Sequence, residues 1–260
     1  MSSCSPEMRI AKQYVRSSHE TPLMLFHTDS LMKISSKLPV ADTITDTSRH
    51  YLDSLAYAQT KFVQFINNHE FLRQYCSELA VELDKFGFRV YSDSTAYKFF
   101  SDSSKGYIVN LAQAELEEFY KPYISGFMVD ENGDSYQFDL DAVALNSWFE
   151  ISCSNCDSGM MRVMFAACEK SSAAKARMKQ NEFTGDLYLG YDVIEMHMID
   201  VYTLADIGAK QNASYIFDYA MNEYIARQMG NSVVKRYGLH YDSKKKKLRR
   251  AGDKKFIRMK

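Results

Sequence analysis

Proline and glycine are scarce in this chain, 4 and 11 residues in 260, and that scarcity excludes a collagenous, linker-rich or low-complexity protein. There is a single tryptophan, and no apolar run approaches the roughly 18 residues that a membrane span requires. The first twenty residues, MSSCSPEMRIAKQYVRSSHE, lack the basic, apolar, small-residue succession of a secretory signal. A cytoplasmic location without a membrane partner is the expectation. The five cysteines (Cys4, Cys76, Cys153, Cys156 and Cys168) are odd in number and too few for a disulfide framework, which favours reduced thiols. Equally absent are the GxGxxG, GxxxxGKS/T and GxSxG patterns, and no histidine stands at a recognisable spacing from a nucleophilic Ser or Cys. No catalytic residue, metal ligand or cofactor is therefore assigned.

What the chain has in quantity is aromatic and charged residues. Tyrosine and phenylalanine number 18 and 16, and 46% hydrophobic content in 260 residues is ample for a packed core without staples. The net charge of −1 hides a division: Lys235 to Lys260 carries 12 Lys and Arg against 2 Asp, while the rest of the chain holds 20 basic and 31 acidic groups. A block of like charge repels itself and buries little, so the expectation is a solvated arm that meets a polyanion or an acidic protein surface.

Taken in order, residues 1 to about 45 read as a poorly periodic lead-in interrupted by Pro22 and Pro39. From Asp46 the residues Leu52, Leu55, Ala56, Phe62, Val63 and Ile66 recur near helical spacing. Asn67 and Asn68 offer a break and a second cap, after which Phe71, Leu72, Tyr75, Leu79 and Leu83 mark a second helix ending at Gly87, a suitable left-handed residue. The period then drops to two: FRVY (88–91), YKFF (97–100) and YIVNL (107–111) read as strands. QAELEEF suggests a short helix before Pro122. Asn132-Gly133, set between alternating runs, predicts a two-residue hairpin in which Phe127 faces Phe138 and Val129 faces Tyr136. Residues 147–153 and 160–168 form another strand pair, EKSSAAKARMKQNEF a loop, and 187–202 a long β run with a bulge at Gly190. Ala213, Ile216, Phe217, Ala220, Met221 and Tyr224 make an apolar helical stripe.

The fold expected is α+β: a mainly antiparallel sheet flanked by helices at 46–86 and 204–237, with a basic tail. The segments are 1–87 (helical), 88–202 (β-rich), 203–240 (C-terminal helix) and 241–260 (tail).

Four constellations carry chemistry. Lys244, Lys245, Lys246, Lys247, Arg249, Arg250, Lys254, Lys255, Arg258 and Lys260 could each neutralise a phosphate and release counterions. Tyr97, Phe99, Tyr107, Phe127, Tyr136 and Phe138 lie in or near predicted strands, where exposed rings stack on the bases of single-stranded nucleic acid; buried, they are ordinary core. Cys153 and Cys156 have zinc-knuckle spacing, with Cys168 or His197 able to complete a site, yet no second pair exists. Asp139, Asp141, Asp192 and Asp200 on strand-like segments are what a metal-dependent nuclease or nucleotidyl transferase would need, although strand alternation works against their convergence.

In layout and composition the chain resembles some phage single-stranded-DNA-binding proteins: similar length, rich in tyrosine, low in tryptophan, with a short charged C-terminus. Members of that class carry an acidic tip where this chain ends KKFIRMK. The resemblance implies an OB-like barrel over residues 88–202 and non-catalytic coating of single strands in replication or transcription. The basic tip would then address an acidic surface, such as that of a polymerase. The alternatives are the metal-dependent enzyme, and a virion or assembly protein whose arm contacts packaged nucleic acid.

Overall fold

The computed structural model describes residues 5–17, 20–37, 49–102, 105–129, 135–154, 161–180, 182–229, 238–251 and 256–258. The architecture is α+β, with five α-helices among the described residues and an open, mainly antiparallel sheet.

The described part of the first segment forms regular elements, contrary to the irregular lead-in expected of it. Helix α1 (Pro6–Ser17) starts on proline, carries Glu7 in its first turn and Arg16 in its last, and buries Ala11 and Tyr14. Strand β1 (Thr21–His27) contains the run LMLF, whose Leu23 and Met24 are wholly buried. A short apolar run without alternation is what a strand covered on both faces needs, and β1 is such a strand. Strand β2 (Leu31–Ser35) follows.

Helix α3 (Asn68–Lys85) matches the second expected helix, but α2 (Arg49–Ala58) is shorter than the first: Phe62, Val63 and Ile66, expected on its apolar stripe, lie beyond its end in and beside a 3-10 turn at Val63–Phe65. The Asn67 side chain accepts from the Glu70 N–H, and Gly87, at φ +90°, ends the helix as anticipated. Strand β3 (Phe88–Tyr91) coincides with FRVY. YKFF instead lies in a short helix, α4 (Ala96–Ser101), because a capping box at Ser92–Thr95 turns the chain before the aromatic residues can extend.

Two long strands form the spine: β4 (Gly106–Val129) and β5 (Ser135–Ser154). QAELEEF, expected to be helical, is the middle of β4. Its alternation decides this, since Ala114, Leu116 and Glu118 are buried inward while Glu115 and Glu117 share the opposite face. Pro122 is tolerated because β2 pairs with β4 only as far as Glu118, so the missing N–H faces an unpaired edge. The hairpin register also differs from expectation. Phe138 pairs with Tyr123 rather than Phe127, and Val129 with Ser135 rather than Tyr136. The long ladder sets the register through its buried face, and an irregularity between Ile124 and Val129 absorbs the offset. The turn at 132–133 lies outside the described residues.

Strand β6 (Arg162–Ser171) pairs with β5. The anticipated loop is instead β7 (Ala173–Gln180), which forms a separate ribbon with β8 (Leu187–Ile194). Helix α5 (Met198–Gln228) begins earlier than expected, cutting the predicted 187–202 strand short, because the Asp200 carboxylate caps its start by accepting the His197 N–H at 2.8 Å. It packs so closely on β5 that a Cβ at Gly208 would stand 2.7 Å from Leu145. Strands β9 (Gly238–Asp242), β10 (Lys247–Ala251) and β11 (Phe256–Arg258) complete the chain.

The main sheet runs β11-β6-β5-β4-β1-β3, with β2 also on β4. Among the described residues this path does not close, so the OB-like barrel is corrected to an open sheet. Strands β1, β2 and β3 join in parallel and the others antiparallel. One face lies under α1, α3 and α5, with one core that includes Ala11, Tyr75, Leu116, Leu145, Phe217 and Leu239. No helix among the described residues is long and apolar enough to cross a membrane.

Candidate nucleic-acid interface

The basic tail is not a free arm. Strands β9 and β10 pair antiparallel from Gly238↔Ala251 to Asp242↔Lys247, and β11 adds to the edge of β6. Leu239 is buried, and Tyr241 and Leu248, cross-strand neighbours, pack on the core. The sequence hid this because three apolar residues among many lysines suffice when a helix supplies polar anchors. Asn222 of α5 donates to the Leu239 carbonyl and accepts its N–H, both at 2.8 Å, as a neighbouring strand would. Four residues earlier on the same helix, Asp218 accepts the Tyr241 N–H at 2.9 Å and binds His240 Nδ1 at 2.5 Å. The spacing puts both anchors on one face of α5.

Six cations project from this fixed hairpin: Lys244, Lys245, Lys246, Lys247, Arg249 and Arg250 are all exposed. In the turn, the Lys245 N–H, reinforced by the charges of Lys245 and Arg249, holds the Asp242 carboxyl below its ordinary range. Lys254, Lys255 and Lys260 lie outside the described residues, and Arg258 is placed by its backbone in β11.

Among the described side chains, the candidate aromatic residues do not assemble into a stacking platform beside the hairpin. Phe99 and Tyr107, at 3% and 6% exposure, have no ring face to offer, and the Tyr107 hydroxyl donates to Ala220 of α5. Phe138 is half-buried against Tyr123 and Tyr191. Tyr97 is 66% exposed, but on α4, and α4 packs across the sheet from the helix layer: its Phe99 meets Tyr91 while Phe88, on the other side of β3, meets Phe217 of α5. Phe127 and Tyr136 are placed in β4 and β5 by backbone alone.

The acidic residues are likewise dispersed into ion pairs. Asp192 bonds Arg177 and Lys179 in the β7–β8 ribbon, Asp200 bonds Lys170, and Asp141 bonds Lys37 and Lys61. Among the described residues, no three carboxylate, His or Cys side chains gather to hold a metal ion. The alternative set of Asp139, Asp141, Asp192 and Asp200 is therefore not brought together: Asp141, Asp192 and Asp200 each bond different cations. Nor is the cysteine constellation. Cys153 is disulfide-bonded, against the expectation of reduced thiols, and His197 starts α5. Cys76 and Cys168 are free, and burial pushes their thiols up, to about 12 and about 11, so they stay protonated.

One polar centre escaped the sequence reading. Glu118, fully buried at an inward position of β4, accepts from Lys37 Nζ and the Lys61 N–H at 2.7 Å, and from the Phe62 and Val63 N–H groups at 2.8 and 3.1 Å. Lys37, 8% exposed, also reaches Asp141 at 2.7 Å and lies over the Tyr120 ring. Burial alone would lower the Lys37 ammonium, but its bonds to Asp141 and Glu118 outweigh that, so it remains charged and unsuited to act as a base or nucleophile. The centre staples residues 61–63 to the sheet. Its signal was a charged residue in phase with Ala114 and Leu116, visible only once that stretch is taken as a strand.

No protein-family model and no curated protein sequence matches this chain.

Proposed function

We propose that the protein is a non-catalytic nucleic-acid-binding protein whose ligand is held by the β9–β10 hairpin through its phosphates. The observation that carries this reading is the fixed display of six exposed cations opposed by Asp242 alone within residues 242–250. A hairpin anchored on α5 loses less freedom on binding than a loose arm would, so more of its charge is available for affinity. The mode differs from the stacking grip that the phage single-stranded-DNA-binding proteins suggested. With Phe99 and Tyr107 buried, charge dominates and duplex should bind at least as tightly as single strand, since duplex carries the denser charge.

Fluorescence anisotropy with labelled single-stranded and duplex oligonucleotides tests the proposal. Six phosphate contacts imply that log K falls with log salt at a slope of about −5 on duplex. Changing Lys244, Lys245, Lys246 and Lys247 together to Glu should abolish binding. A preference for single strand that persists at high salt would restore stacking and overturn charge-led binding, and absence of binding to either oligonucleotide would leave an acidic protein surface as the hairpin's target.

A further inference from the structure

The face of the main sheet opposite α1, α3 and α5, over β4, β5 and β6, has the opposite chemistry to the hairpin. Cross-strand pairing places Glu115, Glu117, Glu150 and Glu169 on it, against Lys121 as the cation bound there. Shared partners fix these orientations: Asn146 donates to both Glu115 and Glu117, and Asn110 donates to Glu150. Trp148 and Phe165 pack together on the same face with centroids 5.0 Å apart. Apolar surface remains open between the carboxylates, with Met32 45% and Phe165 37% exposed. An open groove of about 780 Å³ takes Glu117, Phe119, Ala144 and Glu169 from this face, and Tyr120 and Asp139 from the opposite one. Carboxylates interleaved with rings and methionine suit lysine and arginine side chains, whose stems pack on apolar surface while their heads seek anions. They repel phosphate.

We propose that this face binds the basic β9–β10 hairpin of a second copy of the chain, so that copies associate head to tail. The charges are complementary: over β4, β5 and β6 four carboxylates stand against Lys121, Arg89 on β3 is already paired with Asp102, and the hairpin sets six cations against Asp242. The hairpin cannot reach the face of its own chain, because Asp218 and Asn222 hold it on α5, on the other side of the sheet. Contact between two different patches is heterologous, and it yields a closed ring or an open series rather than a two-fold dimer. The proposal does not depend on nucleic-acid binding, although both ligands use the hairpin and would exclude one another.

Sedimentation velocity on nuclease-treated protein provides the test. At low ionic strength the mass should rise with concentration above the 30.0 kDa of one chain, and it should return to one chain at about 0.5 M salt, where the Debye length is a few ångströms. Two charge-reversed proteins sharpen it: one with Lys244, Lys245, Lys246 and Lys247 changed to Glu, the other with Glu117, Glu150 and Glu169 changed to Lys. Each alone should remain a single chain, and their equimolar mixture should associate. The second variant keeps its hairpin and so keeps its affinity for an oligonucleotide, which separates this proposal from the preceding one. If reversal unfolds that variant by circular dichroism, the Glu→Gln triple serves instead and should lose association at low salt. A wild-type protein that stays a single chain at every concentration and salt, association indifferent to either set of changes, or a mixture of folded variants that does not associate would overturn the proposal.

Discussion

Replacing Glu118 by Gln keeps the size of the side chain and removes its charge, and the structure gives a specific reason for a large cost. Each carboxylate oxygen accepts two bonds, Oε1 from Lys37 Nζ and the Lys61 N–H, Oε2 from the Phe62 and Val63 N–H groups. A glutamine offers one oxygen, so whichever end carries the amide nitrogen turns a donor toward two donors. An orphaned buried donor costs about 1–3 kcal/mol. Removing one partner from a buried ion pair costs about 3–5 kcal/mol. These overlapping effects place the loss near 4 kcal/mol, a large fraction of the roughly 5–15 kcal/mol that holds a folded protein together. For a chain of this size the thermal midpoint should fall by about 12 °C. Urea unfolding of the wild type, Glu118→Gln, Lys37→Met and the double variant would measure it. The double variant should be less damaged than the two single losses added, because Lys37 and Glu118 are bonded directly. A loss below about 1 kcal/mol for Glu118→Gln, or strict additivity in the cycle, would refute the account of this centre as a buried staple.

Deleting residues 244–260 removes β10 and β11, uncovers Leu239 and strips Leu248 from the core, so stability should drop by about 2 kcal/mol and the midpoint by about 6 °C. An unchanged midpoint in calorimetry would reinstate the free arm that composition suggested. For Asp141, burial alone would raise the carboxyl, but hydrogen bonds from Lys37 and Lys61 outweigh it and hold the group below its ordinary 3.8. A lowered carboxyl contributes stability that is complete above 3.8 and is lost as pH falls through the folded value. The gap in urea midpoint between wild type and Asp141→Asn should therefore be constant from about pH 5 to 7 and shrink below about pH 4, and a gap that widened on acidification would reverse the assignment.

Local sequence determined the elements whose signals are short-range. Helix α3, the Asn67 cap, the Gly87 stop and strand β3 were all legible, because caps, left-handed glycines and strong periodicity act within a few residues, whereas the end of α2 at Ala58 was not. The α+β class and the concentration of positive charge near the C-terminus were legible for the same reason. Tertiary structure decided the rest. Whether LMLF belongs to an irregular lead-in or to a central strand depends on β3 and β4, which pair with it from more than 60 residues away. QAELEEF has helical composition, and only burial of Leu116 and Glu118 against the helix layer makes it a strand. The tail looked free because charge dominates its composition. What docks it, the pair Asp218 and Asn222, sits on α5 some twenty residues earlier and has meaning only when that helix passes β9. The same long-range placement separates the basic hairpin from the acidic sheet face, since composition records how much charge a chain carries and only the fold decides which side of the sheet it occupies.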